Sequence, residues 1–135
     1  MSNSDIYQEQ THGVVIAVSP EYLPDHSDPD EGRHVWAYHV RIENHGNTPV
    51  QLLYRHWRIA DAKGASHEVI GDGVVGEKPV LRPGDSYQYS SGTPLETSSG
   101  FMAGIFQVVD SVGNRFAVKV PTFSLDQPGA RGAVH

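Results

Sequence analysis

Any chemistry done by this chain has to come from the few places where glycine, basic, aromatic, acidic or histidine residues gather at a defined spacing. The first is Gly71-Asp72-Gly73-Val74-Val75-Gly76, a GxGxxG run of the kind that cradles a phosphate when a helix opens inside it and supplies free amides and a dipole. No helix can open here. Pro79 and Pro83 follow within a few residues, and a proline inside a helix removes a hydrogen bond and clashes with the preceding turn. Ahead of the run, Ala65 to Ile70 is long enough only for a short strand, and no βαβ unit surrounds it. Two uses of the glycines remain. They can relax the limits on φ in a wide loop between strands. They can also form a backbone nest for an anion, with Gly71, Gly73 and Gly76 around it and Lys78 or Arg55 as counter-charge.

The second place is Arg55-His56-Trp57-Arg58, an aromatic and basic run inside Val50 to Ile59. Tyr, Trp and Arg anchor protein interfaces because they bring large area at limited cost in entropy. Trp57 has two readings, as an interface anchor or as the core tryptophan of a sandwich strand. Arg55 or Arg58 is the expected exposed member. A sheet edge offers another binding mode, in which a partner strand adds through main-chain hydrogen bonds.

The remaining polar groups give weaker patterns. There are eight histidines, but none is arranged as H-x-H or H-x3-H, and His34 and His39 fall on opposite faces of a strand. Asp25, His26, Asp28, Asp30 and Glu31 crowd one loop, which lacks the glycine and terminal glutamate of a calcium loop and reads as a solvated acidic segment. Serines and threonines cluster in segments such as Ser90-Ser91 and Thr97-Ser98-Ser99, which read as turns with no base at hand. No catalytic residue, cofactor site or metal site is expected.

These groups have to be positioned by strands. Val14 to Val18 is a β-branched run closed by Ser19-Pro20, and Tyr22 to Arg33 reads as a loop. From His34 the chain alternates, with Trp36, Tyr38, Val40 and Ile42 on one face and Ala37, His39, Arg41 and Glu43 on the other. Val50 to Ile59 carries apolar groups on both faces and reads as a central strand. Ser66 to Ile70 returns as its hairpin partner, and Ser86 to Ser91 forms a further strand. Phe101 to Asp110 and Arg115 to Val120 form the last hairpin, with Pro121 breaking the ladder or marking an edge. Seven or eight short antiparallel strands without a convincing helix predict an all-β sandwich. Residues 12–125 form the domain; residues 1–11 and 126–135 are polar or Gly/Pro-rich and read as flexible tails.

Composition narrows the function. With 135 residues the chain can bury about two-thirds of its unfolded surface, enough for one core. It contains no cysteine, which excludes disulfides and thiolate metal sites. No stretch approaches the roughly 20 apolar residues of a membrane span, and no signal peptide opens the chain. A cytoplasmic protein without membrane insertion is expected. The net charge of −6 disfavours nucleic acid as a partner, because that affinity comes from clustered Lys and Arg.

The runs VQLLYRHWRIADAKG, GDGVVGEKPVLRPGDSYQYSSGTPL, SSGFMAGIFQV and VPTFSL resemble, in order and spacing, the ApaG protein family, from about Gly13 to Leu125. That resemblance implies an immunoglobulin-like, fibronectin type III-like β-sandwich. It also implies a bacterial cytosolic protein associated with cobalt tolerance and magnesium efflux, without a settled molecular activity. Related domains occur as modules in eukaryotic proteins, including F-box proteins and a DNA polymerase delta-interacting protein, which favours protein binding. The expectation is a non-enzymatic module, monomeric or weakly dimeric, that binds an unidentified protein through Arg55, Trp57, Arg58 and the Gly71 to Gly76 loop. The alternative is a phosphate, pyrophosphate or nucleotide binder using that loop.

Overall fold

A computed structural model describes residues 6–74 and 76–128. Among these residues, nine antiparallel strands build two sheets. They are β1 (Tyr7–Thr11), β2 (Val14–Tyr22), β3 (His34–Asn44), β4 (Val50–Asp61), β5 (Ser66–Asp72), β6 (Val80–Leu81), β7 (Ser86–Leu95), β8 (Ser99–Asp110) and β9 (Arg115–Asp126). One sheet has the order β1-β2-β3-β7; the other has the order β5-β4-β8-β9, with β6 also paired to β4. The two inner faces enclose one core containing Val14, Ile16, Val18, Trp36, Val40, Ile42, Leu52, Trp57, Phe106, Val118, Phe123 and Leu125. This is the all-β sandwich expected, with no helix after the glycine run. Between β2 and β3 the acidic segment makes two single 3-10 turns, Pro24–His26 and Pro29–Glu31.

β1 replaces part of the expected N-terminal tail. Its sequence Tyr-Gln-Glu-Gln-Thr has a single apolar side chain, so nothing in the pattern marks it as a strand. It forms because the His12-Gly13 turn, with both residues at positive φ, folds it back on β2 in the register Tyr7↔Val18 to Thr11↔Val14. Tyr7 then packs on Phe123 with ring centroids 6.0 Å apart, and the Lys119 amide donates to Thr11 Oγ1 at 3.2 Å. The other sheet is tied in at this edge. At the far terminus β9 runs one residue beyond the expected domain boundary. The buried Trp36 indole donates to the Asp126 carbonyl at 3.0 Å.

Two register shifts explain where the simple alternation fails. In β4, Leu52 pairs with Val108 and Tyr54 with Gln107, leaving Leu53 as a bulge. Val50 and Leu52 point inward before it, and Trp57 and Ile59 point inward after it, because an extra residue reverses the phase of a strand. The apolar groups on both formal faces of Val50 to Ile59 are therefore one inward set read across a bulge. In β8 and β9, Met102 pairs with Phe123 and Gly104 with Val120. Pro121 falls inside this second shift, on a strand with no further neighbour in its sheet, so it interrupts no ladder and β9 continues through it.

The strand ends are closed by side chains that satisfy the backbone. Buried Asn44 donates through Nδ2 to the carbonyls of Thr48 at 2.8 Å and Leu81 at 2.9 Å, and its Oδ1 accepts from the Gly46 amide at 2.9 Å. The Asp110 carboxylate accepts from the amides of Val112 and Asn114 at 3.1 and 2.9 Å, which fixes the β8–β9 turn.

Candidate functional site

The two candidate regions named by the sequence meet at β4, but they do not form one surface. Trp57 is 2% exposed. Its ring packs between Tyr38 at 5.3 Å, Phe106 at 6.0 Å and Phe123 at 6.3 Å. Like Trp36, it is a core tryptophan, and its ring is not part of the surface. Gly104 on β8 makes room for it: a Cβ there would stand 2.5 Å from the His56 carbonyl and 3.0 Å from Trp57 Cε3.

Arg55 points to the same side as Trp57 but lies at the sheet margin, over the glycine run. Its Nη1 donates to the carbonyls of Gly73 at 3.1 Å and Asp72 at 3.3 Å. The run itself turns back on its own backbone. The Gly73 amide donates to Leu53 O at 2.7 Å, the Val74 amide to Glu77 O at 2.7 Å and the Glu77 amide to Val74 O at 3.0 Å. Gly73 has φ +60°, and a Cβ on it would stand 2.0 Å from the Glu77 carbonyl, so only glycine allows this closure. An anion nest needs its amides pointing outward, and these three already donate to carbonyls of the chain. Gly76 and Lys78 are exposed on the outer side of the turn; the Lys78 carbonyl accepts from Gln51 Nε2 at 3.1 Å.

Arg58 takes the opposite direction and is the exposed member of the run, with 68% of its side chain accessible. Around it the outward face of the β5-β4-β8-β9 sheet is laid out in register. Ile70, His56, Ile105 and Lys119 form one row across the four strands; Glu68, Arg58 and Ala103 form the next; Ser66, Ala60, Phe101 and Ser124 form a third. Ile70 is 66% and Phe101 58% exposed. A hollow of about 230 Å³ lies at the centre, lined by His56, Arg58, Ala103, Ile105, Lys119 and Thr122. Arg58 Nη2 and His56 Nε2 approach Glu68 Oε2 at 3.2 and 3.4 Å. Arg58 first, then the charge of His56, hold the Glu68 carboxyl below its ordinary value. Glu68 is the one carboxylate in these rows, beside Arg58, Lys119 and His56. Lys119 Nζ lies 3.9 Å from Glu9 Oε2, and Asp72 stands opposite Tyr54 in the adjoining row, so the face is mixed in charge and partly apolar.

Sequence reading named Arg58 but missed Phe101, Ile70, Ile105 and Lys119, which come from three other strands. Only the pairing register brings them together. The even spacing of Tyr54, His56 and Arg58 could have pointed to the outward face, had the bulge at Leu53 been visible. Ser90 falls in the expected strand Ser86 to Ser91, where the sequence alone shows no base at hand. It lies within β7, which runs on to Leu95, and its hydroxyl oxygen is 2.6 Å from His39 Nδ1. Among the described residues, no three or more His, Asp or Glu side chains gather as a metal-binding group. No helix among them is long and apolar enough to cross a membrane.

Comparison with known proteins agrees with the order and spacing of the motifs. The sequence profile of the ApaG domain matches residues 24–110. "Protein ApaG" of Rhodospirillum centenum is 55% identical over 126 residues, covering 93% of this chain and 97% of that protein. "Protein ApaG" of Maricaulis maris is 50% identical over 130 residues, covering 96% and 100%. A crystal structure of a Bordetella pertussis protein described as ApaA superimposes with a TM-score of 0.84 at 41% identity, covering 90% of this chain and 96% of that one. On these matches, which span nearly the whole chain, the protein belongs to the ApaG family.

Proposed function

We propose that this chain is a non-enzymatic binding module of the cytoplasm, and that it engages another protein through the outward face of the β5-β4-β8-β9 sheet around Arg58. The single observation that carries this reading is the composition of that face. Phe101, Ile70 and the half-buried Ile105 surround Arg58, His56 and Lys119 in register across four strands. Exposed apolar side chains grouped with arginine are what interface cores use, and the Arg58 side chain is 68% accessible there. The partner that fits is an acidic, partly apolar protein surface. Any association of the family with cobalt tolerance or magnesium efflux acts, on this reading, through such a partner.

The test is site-specific photocrosslinking in living cells, with the reactive group placed at Phe101 and, as a comparison, at Val112 on the β8–β9 turn. The expected result is a discrete adduct from the Phe101 position, absent from the Val112 position and lost when Arg58→Glu is added. Equal adducts at both positions, or none at Phe101, would overturn the proposal. An adduct of doubled mass made only of this chain would identify the occupant as a second copy.

A further inference from the structure

The outward face of the other sheet carries a different chemistry. β2, β3 and β7 place Ser19, His39 and Ser90 in one row, and Glu21 follows two residues along β2 on the same face. Ser90 Oγ lies 2.6 Å from His39 Nδ1, and His39 Nε2 lies 2.9 Å from Glu21 Oε1. A nucleophile, a base and a group that orients the base are thus linked through hydrogen bonds, which is the geometric signature of an activated serine. In the tautomer that donates from Nε2 to the Glu21 carboxylate, the Nδ1 lone pair faces the Ser90 hydroxyl.

From this we infer that Ser90 is an acyl-acceptor site: a nucleophile activated by His39, with Glu21 as a positioning residue, that takes the acyl group of a small carboxylic ester. A hollow of about 440 Å³ adjoins it, lined by Ile6, Ala17, Ser19, Arg41, Gln88 and Tyr89 as well as His39 and Ser90. Its apolar side suits the acyl chain, and the Gln88 amide N–H groups at its border are donors for a developing oxyanion, Arg41 being paired through Nε with Glu43. β7 is the outermost strand of its sheet, so an ester reaches Ser90 from the open edge.

In the step, Ser90 Oγ adds to the ester carbonyl carbon while its proton passes to His39 Nδ1. The tetrahedral adduct then collapses, the bond to the leaving alkoxy oxygen breaks, and the imidazolium returns the proton to that oxygen. The products are O-acyl-Ser90 and a free alcohol. This site lies on the face opposite Arg58 and does not depend on the interaction proposed there.

The experiment exposes the full chain to p-nitrophenyl acetate near neutral pH and locates acetyl groups by peptide mass spectrometry. Ser91 is the internal comparison, being exposed on the same strand and facing the other way. The expected result is acetylation of Ser90 in preference to Ser91, reduced at least about tenfold in His39→Gln, as loss of a general base predicts. Nitrogen-15 NMR should find His39 in its Nε2–H form, and Glu21→Gln should disturb that form together with the labelling. An unlabelled Ser90, equal labelling of Ser91, labelling unchanged in His39→Gln, or a ring in the Nδ1–H form would each overturn the inference.

Discussion

The Arg55 guanidinium is packed face-on against Gly71. A Cβ added to that glycine would stand 2.8 Å from Nη1 and 2.9 Å from both Cζ and Nη2. The missing side chain lets the guanidinium reach across β5 to the carbonyls of Asp72 and Gly73. Arg55 therefore acts as a brace between the central strand and the glycine run. Arg55→Met keeps the length of the side chain and removes its donors. It should cost about 1–2 kcal/mol, toward the low end of the roughly 1.5–3 kcal/mol of a hydrogen bond with one charged partner because these bonds are partly exposed, and speed amide exchange at Gly73 and Glu77. Unchanged denaturant midpoint and exchange rates would mean that the brace carries no stability.

The same closure predicts silence toward small anions. With the Gly73, Val74 and Glu77 amides donating to carbonyls of the chain at 2.7 to 3.0 Å, pyrophosphate would have to break those bonds before it could be held. In a two-dimensional NMR titration, these three amide signals should stay in place as pyrophosphate or ATP is added to millimolar levels. Saturable shifts confined to them would restore the loop as an anion site.

Trp57 and Arg58 are neighbours in sequence with opposite fates. Trp57→Ala empties a site bounded by Tyr38, Phe106 and Phe123 and should cost about 3–5 kcal/mol, as large aromatic truncations in cores do. Arg58→Glu, on an exposed face, should cost only about 1 kcal/mol, from the lost Glu68 pair and the like charge set opposite it. It nevertheless reverses the charge that the partner would meet. Urea melts of the two variants separate a core role from a surface role, and similar losses in both would contradict the placement of Arg58.

The sequence exposed the sheet architecture wherever alternation was clean, as in His34 to Asn44, where every second residue is buried. It hid what depends on an unpaired residue or on partners distant in the chain. The bulge at Leu53 reverses the phase of β4, and nothing local to Leu52-Leu53-Tyr54 announces it. Tyr7 to Thr11 has too little apolar character to be read as a strand, yet a two-residue turn and Tyr7 against Phe123 are enough to make it one. The Ser90 and His39 pairing spans 51 positions and exists only through the β3–β7 register.

Acid sensitivity follows from three carboxylates held below their ordinary values. Asp110 is lowered first by the Asn114 amide and then by that of Val112; Glu43 first by Arg41 and then by His45; Glu68 first by Arg58. A carboxylate depressed on folding stabilises the native state above its unfolded value. That contribution is lost as pH falls through the ordinary values of 4.5 for Glu and 3.8 for Asp toward the lower folded ones. Asp110→Ala should therefore melt at a lower temperature than the parent at neutral pH, with the difference narrowing below those values. A gap independent of pH would show that the turn does not rely on the ionised carboxylate.

Tyr89 is the residue where removing a polar group should help. Its hydroxyl lies in the interior beside the Trp57 indole, and neither Tyr89 Oη nor Trp57 Nε1 meets hydrogen-bond geometry with any protein group among the described residues. Burial is the main cause that pushes the phenol well above its ordinary value and Tyr38 adds to it, while the Arg55 charge and the Trp57 indole beside the hydroxyl draw it partly back. A buried hydroxyl without a partner costs about 1–3 kcal/mol in lost hydration, while the ring still packs on Phe106 at 6.4 Å. Tyr89→Phe deletes the oxygen and keeps the ring. The expected outcome is a gain of about 1 kcal/mol, at the low end of that cost because Trp57 Nε1 stays unmatched. A loss of similar size in thermal or urea unfolding would show that the hydroxyl is hydrogen-bonded in solution, with the indole as its nearest candidate.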